Sequence, residues 1–123
     1  MLFKTLKQVI HKYNFWKNNR IILVKGKGNY INVKNNAVLN NCRFDIVGNN
    51  NLIQIEELVR LKNVTFFIRG DNNRIMLGNQ VKFKAGGLIW MEDYNCEIAV
   101  GDRTTFEDAH LAVTGHSQKY NRK

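Results

Sequence analysis

The chain has 123 residues and a formal charge of +9, which suits one domain. Seven Lys and Arg residues fall within residues 1–27 with no acid, and three more within 119–123, whereas residues 28–118 carry nine basic and ten acidic residues. The composition therefore predicts attraction to anions at the two ends, not along a basic groove in the body. It also excludes several classes. No apolar run approaches the ~20 residues of a membrane span, and the first lysines are not followed by the apolar run of a secretory signal. Cys42 and Cys96 make no metal spacing, no metal site is expected, and two unmatched thiols suit a reducing cytoplasm.

In chain order, Leu2, Leu6, Val9, Ile10 and Tyr13 follow helical spacing, with Lys4, Lys7 and Lys12 on other faces. The spacing predicts a short amphipathic helix over 2–13, within an N-terminal cap and lead-in spanning 1–25. Such a helix covers the first coil of a repeat, or rests on an anionic membrane surface. No nucleic-acid motif accompanies the basic residues, so no nucleic-acid partner is expected.

Residues 26–114 repeat. Gly26–Val47, Gly48–Arg69 and Gly70–Met91 are equal in length and in step. A fourth copy, Glu92–Thr114, is one residue longer, the extra residue falling before Ile98. Aligned, they give five apolar columns: Ile31/Ile53/Ile75/Ile98, Val33/Ile55/Leu77/Val100, Leu39/Leu61/Phe83/Phe106, Phe44/Phe66/Leu88/Leu111 and Ile46/Ile68/Trp90/Val113. Columns at a fixed period define a solenoid whose coils bury their apolar faces against one another. Each coil holds three apolar pairs at strand spacing, and Gly, Asn and Asp occupy the corners between them. The expectation is an all-β parallel solenoid of about four three-sided coils. Asn29, Asn51 and Asn73 share a column and are expected to hydrogen-bond from coil to coil. Cys42, in a column with Val64, Gly86 and Ala109, reads as a small buried hydrophobe. Residues 115–123 read as a basic tail.

The segments Ile75–Phe83 and Ile98–Phe106 each contain an aliphatic-Gly-x-x-x-x unit, at Leu77-Gly78 and Val100-Gly101. These resemble the hexapeptide-repeat acyltransferases, whose fold is a left-handed parallel β-helix. The runs Gly87–Cys96 and Thr104–His110 look more narrowly like the bacterial O-acetyltransferases of capsule and O-antigen synthesis. The resemblance implies a left-handed coil, acetyl-CoA as donor, a sugar or polysaccharide acceptor, a histidine general base and a homotrimer with sites at subunit boundaries. Family members continue for further coils, usually bearing the catalytic histidine, so the chain reads as a shortened version. Thr114-Gly115-His116-Ser117 echoes the family's catalytic segment without its acidic residue.

A general base is worth roughly 10²–10⁴ in rate. The candidates are His116, by its wording, and His110, whose column alternates with the apolar ones and so faces outward. His11 reads as an exposed residue of the N-terminal helix. Asp93 and Tyr94 at a corner, with Trp90 before them, form a candidate sugar-binding patch, although Trp90 also belongs to an apolar column. Glu92 and Asp93 are adjacent and do not make a glycosidase pair. Gly26-Lys27-Gly28 is followed by a strand pattern, not by the helix of a phosphate loop. The competing expectation is a non-catalytic solenoid that self-associates through its faces or open end.

Overall fold

The structure is a computed structural model that describes residues 18–122. The helix expected over 2–13, and His11 with it, lies outside the described residues. Among the described residues, twelve strands follow in order: β1 (Arg20–Lys25), β2 (Tyr30–Val33), β3 (Val38–Asn40), β4 (Arg43–Val47), β5 (Leu52–Ile55), β6 (Arg60–Lys62), β7 (Val64–Asp71), β8 (Arg74–Leu77), β9 (Lys82–Tyr94), β10 (Glu97–Val100), β11 (Thr105–Val113) and β12 (Lys119–Arg122).

All pairings are parallel, and they form three ladders. The first face is β2-β5-β8-β10-β12. The second is β3-β6, continued by the starts of β9 and β11. The third is β1-β4-β7, continued by the rest of β9 and β11. The result is a β-solenoid of about five turns. β1 lies one rung before the first predicted copy, and β12 continues the first face where a basic tail was expected.

The first three columns stand as read. Ile31, Ile53, Ile75 and Ile98 are consecutive partners on the first face, and all are fully buried. The last two columns are corrected. Leu61 pairs with Phe83, one repeat period on, but Val64 pairs with Gly87, one position beyond a full period. The extra residue therefore lies between Phe83 and Gly87, at the corner joining the second and third faces. From there every side chain changes sides, since strands alternate with period two. Phe66 stacks on Ile89 instead of Leu88, and Ile68 on Met91 instead of Trp90. Ile89 and Met91 are fully buried, while Leu88 and Trp90 face outward and are half-buried. Gly87, not Gly86, joins the column of Cys42 and Val64, and a Cβ there would sit 2.7 Å from the Phe83 ring.

Buried asparagines tie the coils at the corner before the first face. Asn29 Oδ1 accepts from the Asn51 amide nitrogen at 3.0 Å, and Asn51 Oδ1 accepts from Asn73 N at 3.0 Å. Asn73 Oδ1 accepts from Cys96 N at 2.9 Å. The side-chain amides donate to the carbonyls of Gly48 (2.8 Å), Gly70 (2.9 Å) and Asp93 (3.2 Å), each on the next coil. Each asparagine thus satisfies one backbone donor and one acceptor that the turn removes from the ladder. Cys96 ends the series: its thiol donates to Gly115 O at 3.1 Å, as an asparagine amide would.

Candidate functional site

The same corner carries the sequence-predicted site. Its five levels read Gly26-Lys27-Gly28, Gly48-Asn49-Asn50, Gly70-Asp71-Asn72, Asp93-Tyr94-Asn95 and Gly115-His116-Ser117. The third position is left-handed throughout, with φ of 74° at Gly28 and 58–59° at Asn50, Asn72, Asn95 and Ser117. The first position also has positive φ, from 107° to 140° at the four glycines. A Cβ at Gly26, Gly48 or Gly70 would collide with the carbonyl oxygen of the equivalent residue one coil on.

Asp93 breaks the glycine column. It holds φ at 81°, an unfavourable region for a side-chain-bearing residue that costs about 1–3 kcal/mol. Its Oδ2 accepts a hydrogen bond from Gly115 N at 2.8 Å, which pins the fifth corner onto the fourth. One residue on, Tyr94 and His116 form a parallel bridge. Their rings meet with centroids 5.1 Å apart, tilted by 44°. Tyr94 is 44% exposed and His116 is exposed. Asp71, below Tyr94 in the same column, is occupied downward: its Oδ1 accepts from Asn49 N at 2.8 Å.

The structure therefore brings together Asp93, Tyr94 and His116. It does not bring His110 or Trp90 to them. His110 is exposed on the outer side of the third face, paired in register with Leu88. Trp90 lies on that same outer side, stacked on Phe67 with centroids 4.2 Å apart. Arg69 sits 4.0 Å over the Phe67 ring and pairs with Asp45 at 3.0 Å. Trp90 is thus available to a ligand on one surface, instead of filling the core as its assumed column implied.

Neither histidine hydrogen-bonds or ion-pairs with an acid among the described residues, so no carboxylate fixes either imidazole. The thiols do not supply a nucleophile. Burial pushes the Cys42 thiol up to about 11 from an ordinary 9.0, and Cys96 is buried in its bond to Gly115. No group of three or more His, Cys, Asp or Glu among the described residues could hold a metal, and no described helix is long and apolar enough to cross a membrane.

One group escaped the sequence reading. The outer side of the second face collects Arg60, Lys62, Lys82 and Lys84, with Arg103 at its edge. The prediction that no basic groove runs along the body is corrected here. Charge summed along the chain is near zero, but the coil brings cations one repeat period apart into register, Arg60 directly against Lys82.

No family model matches the chain, and neither a curated protein nor a solved structure matches it significantly.

Proposed function

We propose that this chain is an acetyltransferase-family protein of surface polysaccharide biosynthesis, transferring acetyl from acetyl-CoA to a sugar hydroxyl. The observation that carries the reading is the corner at which the His116 imidazole rests on Tyr94 beside Asp93. It coincides with the segment whose wording resembles the family's catalytic motif. His116 takes the hydroxyl proton as the sugar oxygen attacks the thioester carbonyl, and the thiolate of coenzyme A leaves. Tyr94 offers an aromatic face to the sugar, and the Asp93 carboxylate accepts from its hydroxyls. On this reading the coils wind left-handed and the chain works in the bacterial cytoplasm. The outer edge of β11 and the outward pair Phe67–Trp90 support association into a homotrimer.

The test is acetyl-CoA consumption with a panel of oligosaccharide acceptors. Transfer that is lost in His116→Ala and retained in His110→Ala is the expected result; the reverse pattern makes His110 the base. No transfer to any acceptor favours the second reading, a non-catalytic solenoid that self-associates. The absence of an acid partner for either histidine among the described residues favours that second reading. Sedimentation as a monomer at micromolar concentration would count against the homotrimer and against self-association in the second reading alike.

A further inference from the structure

The second face presents two adjoining grooves. One, of about 420 Å³, is lined by Leu58, Arg60, Gln80, Lys82, Arg103 and Thr105. The other, of about 330 Å³, adds Lys62, Lys84, Val38 and Asn40 beside Arg60 and Lys82. Five cations on three successive rungs thus face one surface. Arg60 and Lys82 are direct cross-strand neighbours, an arrangement of like charge that destabilises a sheet. The three ion pairs among the described residues use Arg69, Arg74 and Lys84, and none relieves Arg60, Lys62, Lys82 or Arg103. The acids at the margin are Glu107, which takes Lys84 at 3.3 Å, and Glu57 and Asp102 on the neighbouring corner, where Asp102 Oδ1 accepts from Asn79 N at 2.9 Å. Leu58, in the groove wall, is left-handed at φ 60° and 43% exposed, an unfavourable conformation for an apolar residue.

The backbone narrows the ligand. The amides at this face donate to the next rung: Val38 N to Val59 O, Arg60 N to Val81 O and Lys82 N to Thr104 O. These amides are taken up by the ladder and do not form the cluster of N–H donors that cradles a compact phosphate. Recognition falls to separate side-chain cations, spaced about 4.8 Å from rung to rung. That spacing is close to the advance of one sugar residue in an extended glycan. Gln80, Thr105 and Asn40 add neutral donors and acceptors suited to hydroxyls, while Val38 and Leu58 offer exposed apolar contacts for the C–H faces of sugar rings. Single-stranded nucleic acid asks for exposed aromatic platforms, and the one aromatic here, Phe83, is 1% exposed.

We propose that this face binds a linear acidic polysaccharide, its carboxylates lying along Arg60, Lys82 and Arg103. The inference is independent of acetyl transfer, since binding is measured without acetyl-CoA. The experiment is calorimetric titration of the full chain with an oligogalacturonate hexamer. The same titration is run with its methyl ester, with inorganic pyrophosphate and with an oligothymidylate. The acidic hexamer should bind with a salt-dependent affinity, and the ester at least about tenfold more weakly. R60Q/K82Q should lose at least about tenfold, the equivalent of one charge-assisted contact, with its circular dichroism unchanged. K25Q, on the third face, should bind as wild type does. Equal affinity for the ester, unchanged affinity in R60Q/K82Q, or tighter binding of pyrophosphate or oligothymidylate would each overturn the proposal.

Discussion

Asn51 is the middle link of the buried ladder, and its replacement by alanine should be far more costly than an average polar truncation. Its side chain is 1% exposed. It accepts from Asn73 N at 3.0 Å and donates to Gly70 O at 2.9 Å and to Asn29 Oδ1 at 3.1 Å. Asn51→Ala leaves Asn73 N–H and Gly70 C=O without these partners. Asn29 Oδ1 keeps its bond from the Asn51 backbone nitrogen. Two orphaned groups at roughly 1–3 kcal/mol each give a loss of about 2–6 kcal/mol. Asn51→Asp adds a charge test. At neutral pH it places a carboxylate oxygen against Gly70 O, so the folded state holds its carboxyl above the ordinary value near 3.9. A raised folded pKa means that the stability is present below about pH 4 and is lost as pH rises through the folded value. The deficit of Asn51→Asp relative to wild type should therefore be largest at pH 7 and should narrow toward pH 4, while that of Asn51→Ala stays constant. Urea unfolding followed by far-ultraviolet circular dichroism measures both. A loss in Asn51→Ala below about 0.5 kcal/mol, the range of an ordinary surface substitution, would refute the reasoning. So would a pH-independent deficit in Asn51→Asp.

The register at the third face is tested by neighbouring substitutions. Met91→Ala should cost about 2–5 kcal/mol as a core truncation, and Trp90→Ala less, about 0.5–1.5 kcal/mol for its stack on Phe67 plus the burial of a ring that is only half covered; the reverse order in urea titrations would restore the uncorrected columns. Gly48→Ala should destabilise by more than about 1 kcal/mol, because φ is 140° and the added Cβ collides with Gly70 O; a melting temperature equal to wild type would count against the corner geometry. Cys42 gives an alkaline signature. Its folded pKa of about 11 lies above the ordinary 9.0, so its contribution is complete below pH 9 and is lost between pH 9 and 11. The loss is on the order of 2–3 kcal/mol. Cys42→Ala should flatten that part of the stability profile, and an unchanged slope would argue that the thiol is not buried.

The repeat made the stack legible because columns of β-branched residues such as Ile31, Ile53 and Ile75 admit one register. It failed at Leu88-Ile89-Trp90-Met91, four apolar residues in succession, where either alternation buries an apolar pair. The cue that decides is Gly86-Gly87, which marks the corner where the extra residue is absorbed. The meeting of Tyr94 with His116 was also within reach, since the two stand one repeat period apart and so lie on one column. The basic face was missed for a related reason. Summing charge along the chain hides what the coil period concentrates, and the same interval separates Arg60 from Lys82 and Lys62 from Lys84. The strained φ of Asp93 could not be read from sequence, although an Asp standing where three earlier copies have Gly was its trace.

The stacking itself is most directly tested by methyl nuclear Overhauser spectroscopy on isoleucine- and methionine-labelled protein. Cross-peaks linking Ile31 to Ile53, Ile53 to Ile75, Ile75 to Ile98 and Ile68 to Met91 are expected from the pairings of the first and third faces. A spectrum in which the Ile53 methyls see neither Ile31 nor Ile75 would contradict the solenoid and everything built on it.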